Sequence, residues 1–344
     1  MDEEVDEGRV TLAQVAETAG VSISTVSKVL NGRQDVSALT RLKVERLLEL
    51  HGYRRTSRGA PEAPLIEIVF HELDAIWAME LILGVEKVAK EIGASVVLTE
   101  SGTRHSPGTE WIEGVLRRRP LGVVLVFSAL PHEFKQQLRS RSIPFVIIDP
   151  AGDPEPDVPS VGSANWSGGL AATRHLIELG HRRVGIITGP EDMMCSLARL
   201  DGFRSAMTTA GIEIDPGLIA FGDFHVEGGY EQAMRMLGRP DRPTAIFAGS
   251  DLQAIGVLEA AGAHGLRTPA DLSVVGYDDV AVAQWSRPAL TTVRQPLRRM
   301  AEEASRMMLR LRAAPSTTST TRMELATSLV IRRSTAPPPS AARP

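Results

Sequence analysis

Seven short apolar runs alternate with segments whose apolar residues recur at helical spacing, and this alternation limits the chain to very few folds. The runs are LIEIVF at 65–70, VVL at 96–98, GVVLVF at 122–127, FVIID at 145–149, VGIIT at 184–188, AIFAG at 245–249 and SVVGYD at 273–278. The segments between and after them have helical period at 77–92, 109–118, 132–141, 167–179, 196–210, 227–237 and 251–264. Strand–helix alternation of this kind builds parallel sheets covered by helices on both faces. There are too many units for one small sheet, so two sub-domains are expected.

The pattern stops upstream of residue 65. The stretch RRTSRGAPEAP at 54–64 carries one glycine, two prolines and no large apolar residue, and reads as a linker. Before it, residues 11–51 read as three short helices. Thr11 is placed to cap the first, in which Leu12, Val15, Ala16 and Ala19 share a face. Gly20 stands where a helix ends in a left-handed residue. Ser22 caps the second helix, with Val26, Val29 and Leu30 turned inward, and Asn31-Gly32 ends it. Ser37 caps the third, in which Leu39, Leu42, Arg46 and Leu47 mark successive turns.

Charge separates the two parts. The whole chain carries a formal charge of −4. From Arg9 to Ala60, however, the basic residues Arg9, Lys28, Arg33, Arg41, Lys43, Arg46, Arg54, Arg55 and Arg58 outnumber the acids Glu17, Asp35, Glu45 and Glu49. A small basic head on an acidic body suits a nucleic-acid reader with a separate second function. Cys195 is the single cysteine, which excludes a disulfide framework and a cysteine-rich zinc site. No metal or cofactor is expected. No apolar run reaches the roughly 18 residues of a membrane span. The acidic, polar start MDEEVDEG does not resemble a signal peptide, so a cytoplasmic, nucleoid-associated location with no membrane partner is expected.

A helix, a short turn at Gly20 and a second helix make the unit that lays its second helix in a major groove. The segment TLAQVAETAGVSISTVSKVLNGRQDVSALTRLKV at 11–44 resembles the N-terminal signature of the LacI/GalR family of bacterial repressors. The resemblance continues, in the family's order, through RHLIELGHRRVGIITGP at 174–190, RLDGF at 199–203, AIFAGSD at 245–251, SVVGYDD at 273–279, TTVRQP at 291–296 and SLVIRRST at 328–335. It implies that Ile23, Ser24 and Lys28 meet base edges. Ser22, Thr25, Ser27, Asn31 and Thr40 match phosphate-contacting positions, and Thr11 joins the DNA-binding set. Short hydroxyls and amides near helix N-termini suit that task. The linker departs from the family: it offers no leucine, and Pro61 and Pro64 oppose a hinge helix. Arg54, Arg55 and Arg58 then either enter or flank a narrow minor groove or attract phosphates from a solvated linker.

The resemblance implies a body of periplasmic-binding-protein-like fold with a small effector in its cleft. The expected fold class is α/β: an all-α helix-turn-helix domain, then two doubly wound parallel sub-domains. The domains are expected at 9–53 (helix-turn-helix), 54–64 (linker) and 65–335 (effector binding and dimerisation). In the last, the N-sub-domain takes about 65–163 and 297–320, and the C-sub-domain about 164–293 and 321–333. Ligands of open α/β sheets sit beyond the carboxyl ends of strands. Asp149, Ser250 and Asp278 fall there, and Arg199 holds the family's effector-arginine position. Arg199 and Asp278 together suit a polyhydroxylated ligand, as fork donor and acceptor. Phe224, Trp77 and Trp166 offer faces for a sugar ring, with core packing as the alternative for the tryptophans. His71, Glu72 and Asp74 follow the first strand toward the same cleft.

The expected function is therefore a repressor-type transcriptional regulator, a homodimer on a pseudo-palindromic operator, controlled by a saccharide. A nucleobase corepressor is the alternative ligand, disfavoured by Pro150 where purine-binding relatives carry tryptophan. An exported sugar-binding protein would lack the helix-turn-helix. An enzyme is not expected, since the chain shows no G-x-S-x-G, Walker A, G-x-G-x-x-G or H-E-x-x-H motif.

Overall fold

The computed structural model describes residues 11–30, 36–50, 64–71, 73, 76–102, 108–126, 130–149, 158–314 and 322–339. Asn31, Arg55, Arg58, Glu72, Asp74 and all of the linker but Pro64 lie outside them.

Three helices form the N-terminal unit: α1 (Leu12–Ala19), α2 (Ile23–Leu30) and α3 (Ala38–Leu50). Thr11 opens α1 with a capping box: the Gln14 amide donates to Thr11 Oγ1, and the Thr11 amide donates to Gln14 Oε1 at 2.7 Å. Gly20 closes it at φ 67°, where its N–H reaches the carbonyls of Ala16 and Glu17. A side chain there would cost about 1 kcal/mol through the left-handed backbone. Ser22 and Ser37 accept hydrogen bonds from the amides of Thr25 (3.1 Å) and Thr40 (3.2 Å), which fixes the starts of α2 and α3. The core is Val15, Ala16, Ala19, Val26, Val29, Leu30, Val44 and Leu48. Leu39 and Leu42 are 83% and 66% exposed. At 100° per residue they share a face with Arg46, opposite the Val44–Leu48 face that meets α1 and α2.

The body begins with β1 (Leu65–Phe70), α4 (Ile76–Glu91), β2 (Ser95–Glu100), α5 (Glu110–Arg118), β3 (Gly122–Val126), α6 (His132–Ser140), β4 (Phe145–Ile148) and β5 (Ser160–Ser163). The chain then crosses over. It builds α7 (Asn165–Glu178), β6 (Val184–Thr188), α8 (Met194–Thr209), β7 (Ile219–Phe221), α9 (Val226–Leu237) and β8 (Ala245–Ala248). Next come α10 (Asp251–Ala263), β9 (Ser273–Asp278), α11 (Ala281–Trp285) and β10 (Thr291–Arg294). A second crossover returns α12 (Leu297–Ala313) to the first sheet, and β11 (Arg322–Leu325) and β12 (Ser328–Val330) complete the body.

The first sheet has the order β11-β5-β4-β3-β1-β2 and the second β12-β10-β9-β8-β6-β7. Leaving out β11 and β12, both halves show one doubly wound topology, with the order reversing beside β1 and beside β6. All pairings are parallel except β10 with β12. Apolar cores cover both faces of each sheet, which explains why the central strands read as unbroken apolar runs. One sub-domain limit changes. Arg322–Leu325 pairs with Ser160–Ser163, so residues 322–325 belong to the first sheet and not, as expected from sequence, to the C-sub-domain. The third crossover lies between Leu325 and Ser328.

Candidate functional site

Residues at the carboxyl ends of strands in both sheets meet around the crossovers. Asp149 follows β4, Asp278 ends β9, and Gly249-Ser250 follow β8. Arg199 arrives from α8. Close packing of α7 on α8 delivers it: a Cβ on Gly169 would strike the Arg199 carbonyl, and one on Gly202 would strike that of Trp166. With glycine at both places the helices approach closely enough for Arg199 to reach the start of α7.

Arg199 is 3% exposed. Its Nε donates to Asn165 Oδ1 at 2.9 Å and its Nη1 to the Gly249 carbonyl at 2.6 Å. Its Cζ stands 3.7 Å from the Tyr277 ring centroid and 5.4 Å from that of Phe224, a cation–π setting on both rings. Phe224 in turn packs on Gly189, where a Cβ would collide with the ring. Asp149 Oδ1 accepts from the Ser163 amide (3.4 Å) and from Asn165 Nδ2 (3.3 Å). Asp278 Oδ1 accepts from Gln295 Nε2 at 2.6 Å, and Gln295 Oε1 accepts from Ser163 Oγ at 2.6 Å. No direct ion pair among the described residues joins Arg199 to either carboxylate. Among the described residues, Arg199 Nη2 and the Oδ2 atoms of Asp149 and Asp278 have no hydrogen-bond partner, leaving a donor nitrogen and two acceptor oxygens uncommitted.

Burial dominates the electrostatics. It raises the carboxyl of Asp149 above its ordinary value, with Arg199 opposing. It raises Asp278 to about 6, again against Arg199 and against the Gln295 hydrogen bond. Asp251, fully buried beside them, is raised well above the carboxylate range by burial and then by Asp278, although Thr292 Oγ1 and the Val280 amide donate to it at 2.6 and 2.9 Å. The backbone is strained at the same place. Asp149, Phe224 and Asp278 have φ of 49°, 72° and 107°, each costing on the order of 1–3 kcal/mol in a non-glycine residue. Strained backbone and acids held out of water are what a preorganised binding site accumulates.

Of the residues selected from sequence, Asp149, Arg199, Phe224 and Asp278 come together here. Ser250 is adjacent but occupied: its Oγ donates to the Phe224 carbonyl (2.8 Å) and caps α10 by accepting from the Gln253 amide (3.0 Å). Trp77 packs on the core of the first sheet, its ring edge-on to Phe70 at 6.2 Å. Trp166 is 45% exposed. His71 has a buried Nδ1 without a hydrogen-bond partner among the described residues. Asn165, Tyr277 and Gln295 were not selected, though Tyr277 and Gln295 stand inside two of the motifs quoted above.

On α2, Ile23, Ser24 and Lys28 are exposed, opposite the buried Val26, Val29 and Leu30. Ser22 Oγ lies 2.7 Å from Ser24 Oγ and 2.8 Å from Thr25 Oγ1, and Ser37 Oγ lies 2.8 Å from Thr40 Oγ1. Hydroxyls thus gather at the starts of α2 and α3, where the helix ends favour anions. Thr11 is exposed at the start of α1, and Ser27 is half-buried on α2.

Comparison with known proteins agrees with this geometry. Residues 11–56 match the model of bacterial regulatory proteins of the lacI family, and 173–335 match a periplasmic binding protein-like domain. The HTH-type transcriptional regulator CelR of Thermobifida fusca is 36% identical, with 95% of this chain and 98% of that protein covered. The HTH-type transcriptional repressor CytR of Escherichia coli (strain K12) is 32% identical, with 87% and 89% covered. The solved CelR–cellobiose complex is similar with a TM-score of 0.71 and 35% identity, over 95% of this chain and 100% of that one. A lac repressor dimer bound to operator and the anti-inducer ONPF is similar with a TM-score of 0.69 and 29% identity, over 95% and 99%. With a DNA-reading head, two doubly wound sub-domains and these relatives, the chain belongs to the lacI family of bacterial transcriptional regulators.

Proposed function

We propose that this regulator is a repressor whose operator affinity is set by a neutral saccharide bound between the sub-domains, with cellobiose as the first ligand to test. The observation that carries the reading is the uncommitted donor of Arg199 beside the uncommitted oxygens of Asp149 and Asp278, flanked by the Phe224 ring. A donor and two acceptors beside an aromatic face suit neighbouring hydroxyls on a sugar ring. The cellobiose in the CelR complex, a relative similar over nearly the whole chain, supports the same class. Ser250, committed to its cap, and Trp77, packed on the first-sheet core, take lesser parts, as does the exposed Trp166.

In this reading Ile23, Ser24 and Lys28 read bases. Thr11, Ser22, Thr25, Ser27, Asn31 and Thr40 hold phosphates, and Arg55 and Arg58 add charge from the linker. The protein works as a homodimer in the cytoplasm, on the nucleoid. Ile76, Met79 and Leu83 leave an exposed apolar stripe on α4, and Leu98 is exposed on the edge strand β2; a second copy would cover them. The dimeric lac repressor supports this assembly.

The test is a thermal-shift titration with mono- and disaccharides, then operator titration on a duplex selected by the protein from a random-sequence pool. Cellobiose should raise the melting temperature and change operator affinity. A series of saccharides without effect on either would overturn the ligand class. Light scattering at micromolar concentration should give the mass of two chains.

A further inference from the structure

Asn165 is the first residue of α7, just after β5, where the chain first passes from one sheet to the other. Ala164 holds the cap position of α7, so the Asn165 side chain is not its cap. It faces both sub-domains instead: Nδ2 donates to Asp149 Oδ1 at 3.3 Å and to the Ser163 carbonyl at 3.2 Å, while Oδ1 accepts from Arg199 Nε at 2.9 Å. Tyr277 Oη donates to the same Oδ1 at 3.4 Å. Asn165 is 7% exposed. One neutral amide thus separates the half-buried carboxylate of Asp149 in the first sub-domain from the buried guanidinium of Arg199 in the second.

That arrangement has a chemical consequence. Placed in contact, Asp149 and Arg199 would satisfy each other as an ion pair and present little to a ligand. With the amide between them, each is half-satisfied and oriented, and Arg199 Nη2 and Asp149 Oδ2 stay available. We infer that Asn165 is a positioning residue of the effector site, holding Arg199 and Asp149 apart and in register across the first crossover. The inference rests on the cleft reading above, and it makes the relative placement of the two sub-domains part of the effector site.

Two variants and two readouts test it. Asn165→Ala removes donor and acceptor together. Cellobiose affinity by calorimetry should fall about tenfold or more, as for loss of hydrogen bonds that orient charged groups. Asn165→Asp keeps the acceptor for Arg199 but sets a carboxylate against Asp149. It should bind weakly at about pH 7.5 and recover at least about threefold relative to wild type by about pH 5, as protonation restores a donor. The charged and titratable groups that act on Asn165's partners are Asp149 and Glu324 from the first sheet, Arg199 and Cys195 on α8, and Tyr277 and Asp278 on β9. All are common to wild type and variant, so the ratio isolates residue 165.

The second readout needs no ligand. Cys195, the single cysteine, is buried on α8 one turn before Arg199. Labelling by a disulfide reagent at one fixed pH should be about tenfold faster in Asn165→Ala once Arg199 is released. Wild-type affinity in Asn165→Ala, a pH-independent ratio for Asn165→Asp, or unchanged labelling would each overturn the inference. Flat titrations for wild type and variants alike would fail the cellobiose reading alone, and the labelling rate would then decide this one.

Discussion

Arg199 spends its Nε on Asn165 and its Nη1 on the Gly249 carbonyl while its Cζ rests 3.7 Å from the Tyr277 ring centroid. A lysine cannot reproduce that fork or the stacking. Arg199→Lys should leave the Gly249 carbonyl unpaired, lowering stability by about 1–3 kcal/mol in a urea melt. It should also weaken saccharide binding by roughly ten- to a hundredfold in calorimetry. Tyr277→Phe keeps the ring and loses only the long 3.4 Å contact to Asn165, so it should bind nearly as wild type. A Tyr277→Phe loss as large as that of Arg199→Lys would show that the hydroxyl, not the ring, holds the site.

The Asp278 carboxyl is lifted to about 6 by burial. In the unfolded chain it ionises near an ordinary 3.8, so between about pH 4 and 6 the unfolded state loses its proton first. Folding stability falls over that window, and the deficit persists above it, at most about 3 kcal/mol. Asp278→Asn keeps an acceptor for Gln295 and removes the buried charge. Asparagine also tolerates the positive φ of this position. The variant should therefore be more stable than wild type near pH 7.5 and equal to it below about pH 4. Denaturant melts at several pH values check this, and a less stable variant at pH 7.5 would contradict it. Saccharide hydroxyls donate best to an ionised acceptor, so wild-type affinity should fall as pH drops below about 6.

The long apolar strands and every helix of ten or more residues except α12 were legible, because burial on both faces leaves a plain apolar run and a helix in between keeps its period. Apart from α12, the strands that escaped were short and lay at crossovers or edges. β5, β7, β10, β11 and β12 have three or four residues each, too few to show a period, and Ser160–Ser163 and Arg322–Leu325 carry few large apolar side chains. Misplacing β11 followed directly. Asn165 was invisible for the same reason: with β5 unread, nothing marked it as a residue beyond a strand end. Asp149, Arg199 and Asp278 were legible because a charge directly after an apolar strand, or at a family motif's arginine, has few other uses. Ser250 was equally visible, but a serine before a helix serves as a cap, and here it does. On α3, the spacing of Leu39, Leu42, Arg46 and Leu47 marked the helix but not its inward face, which is Val44 and Leu48 because α1 and α2 pack there.

The proposed DNA contacts divide by side chain. Ile23, Ser24 and Lys28 share the exposed face of α2, so substituting each should change operator preference, by about 1–3 kcal/mol per contacted base pair. Alanine at Arg55 or Arg58 should weaken all sequences alike and flatten the salt dependence. Binding to a panel of single-base operator variants at two salt concentrations separates the classes. Altered base preference at the operator centre in Arg55→Ala would mean that the linker reads groove shape.

Control of DNA binding by the cleft is open to a direct thermodynamic test. An effector changes operator affinity only through its different affinities for the two arrangements of the sub-domains, and the coupling is reciprocal. Asp278 ends β9 in the second sheet and lies outside the helix-turn-helix unit of residues 11–50. Asp278→Ala removes an acceptor from the cleft and should leave α2 competent, so effector-free operator affinity should match wild type. The ratio of operator affinities with and without saccharide should be about 5- to 150-fold in wild type, the usual 1–3 kcal/mol of coupling. In Asp278→Ala it should collapse toward one at the same saccharide concentration. Fluorescence-anisotropy titrations of both proteins, with and without saccharide, supply the four affinities. A variant that keeps the full wild-type ratio would remove this cleft as the control site, whatever its affinity for DNA.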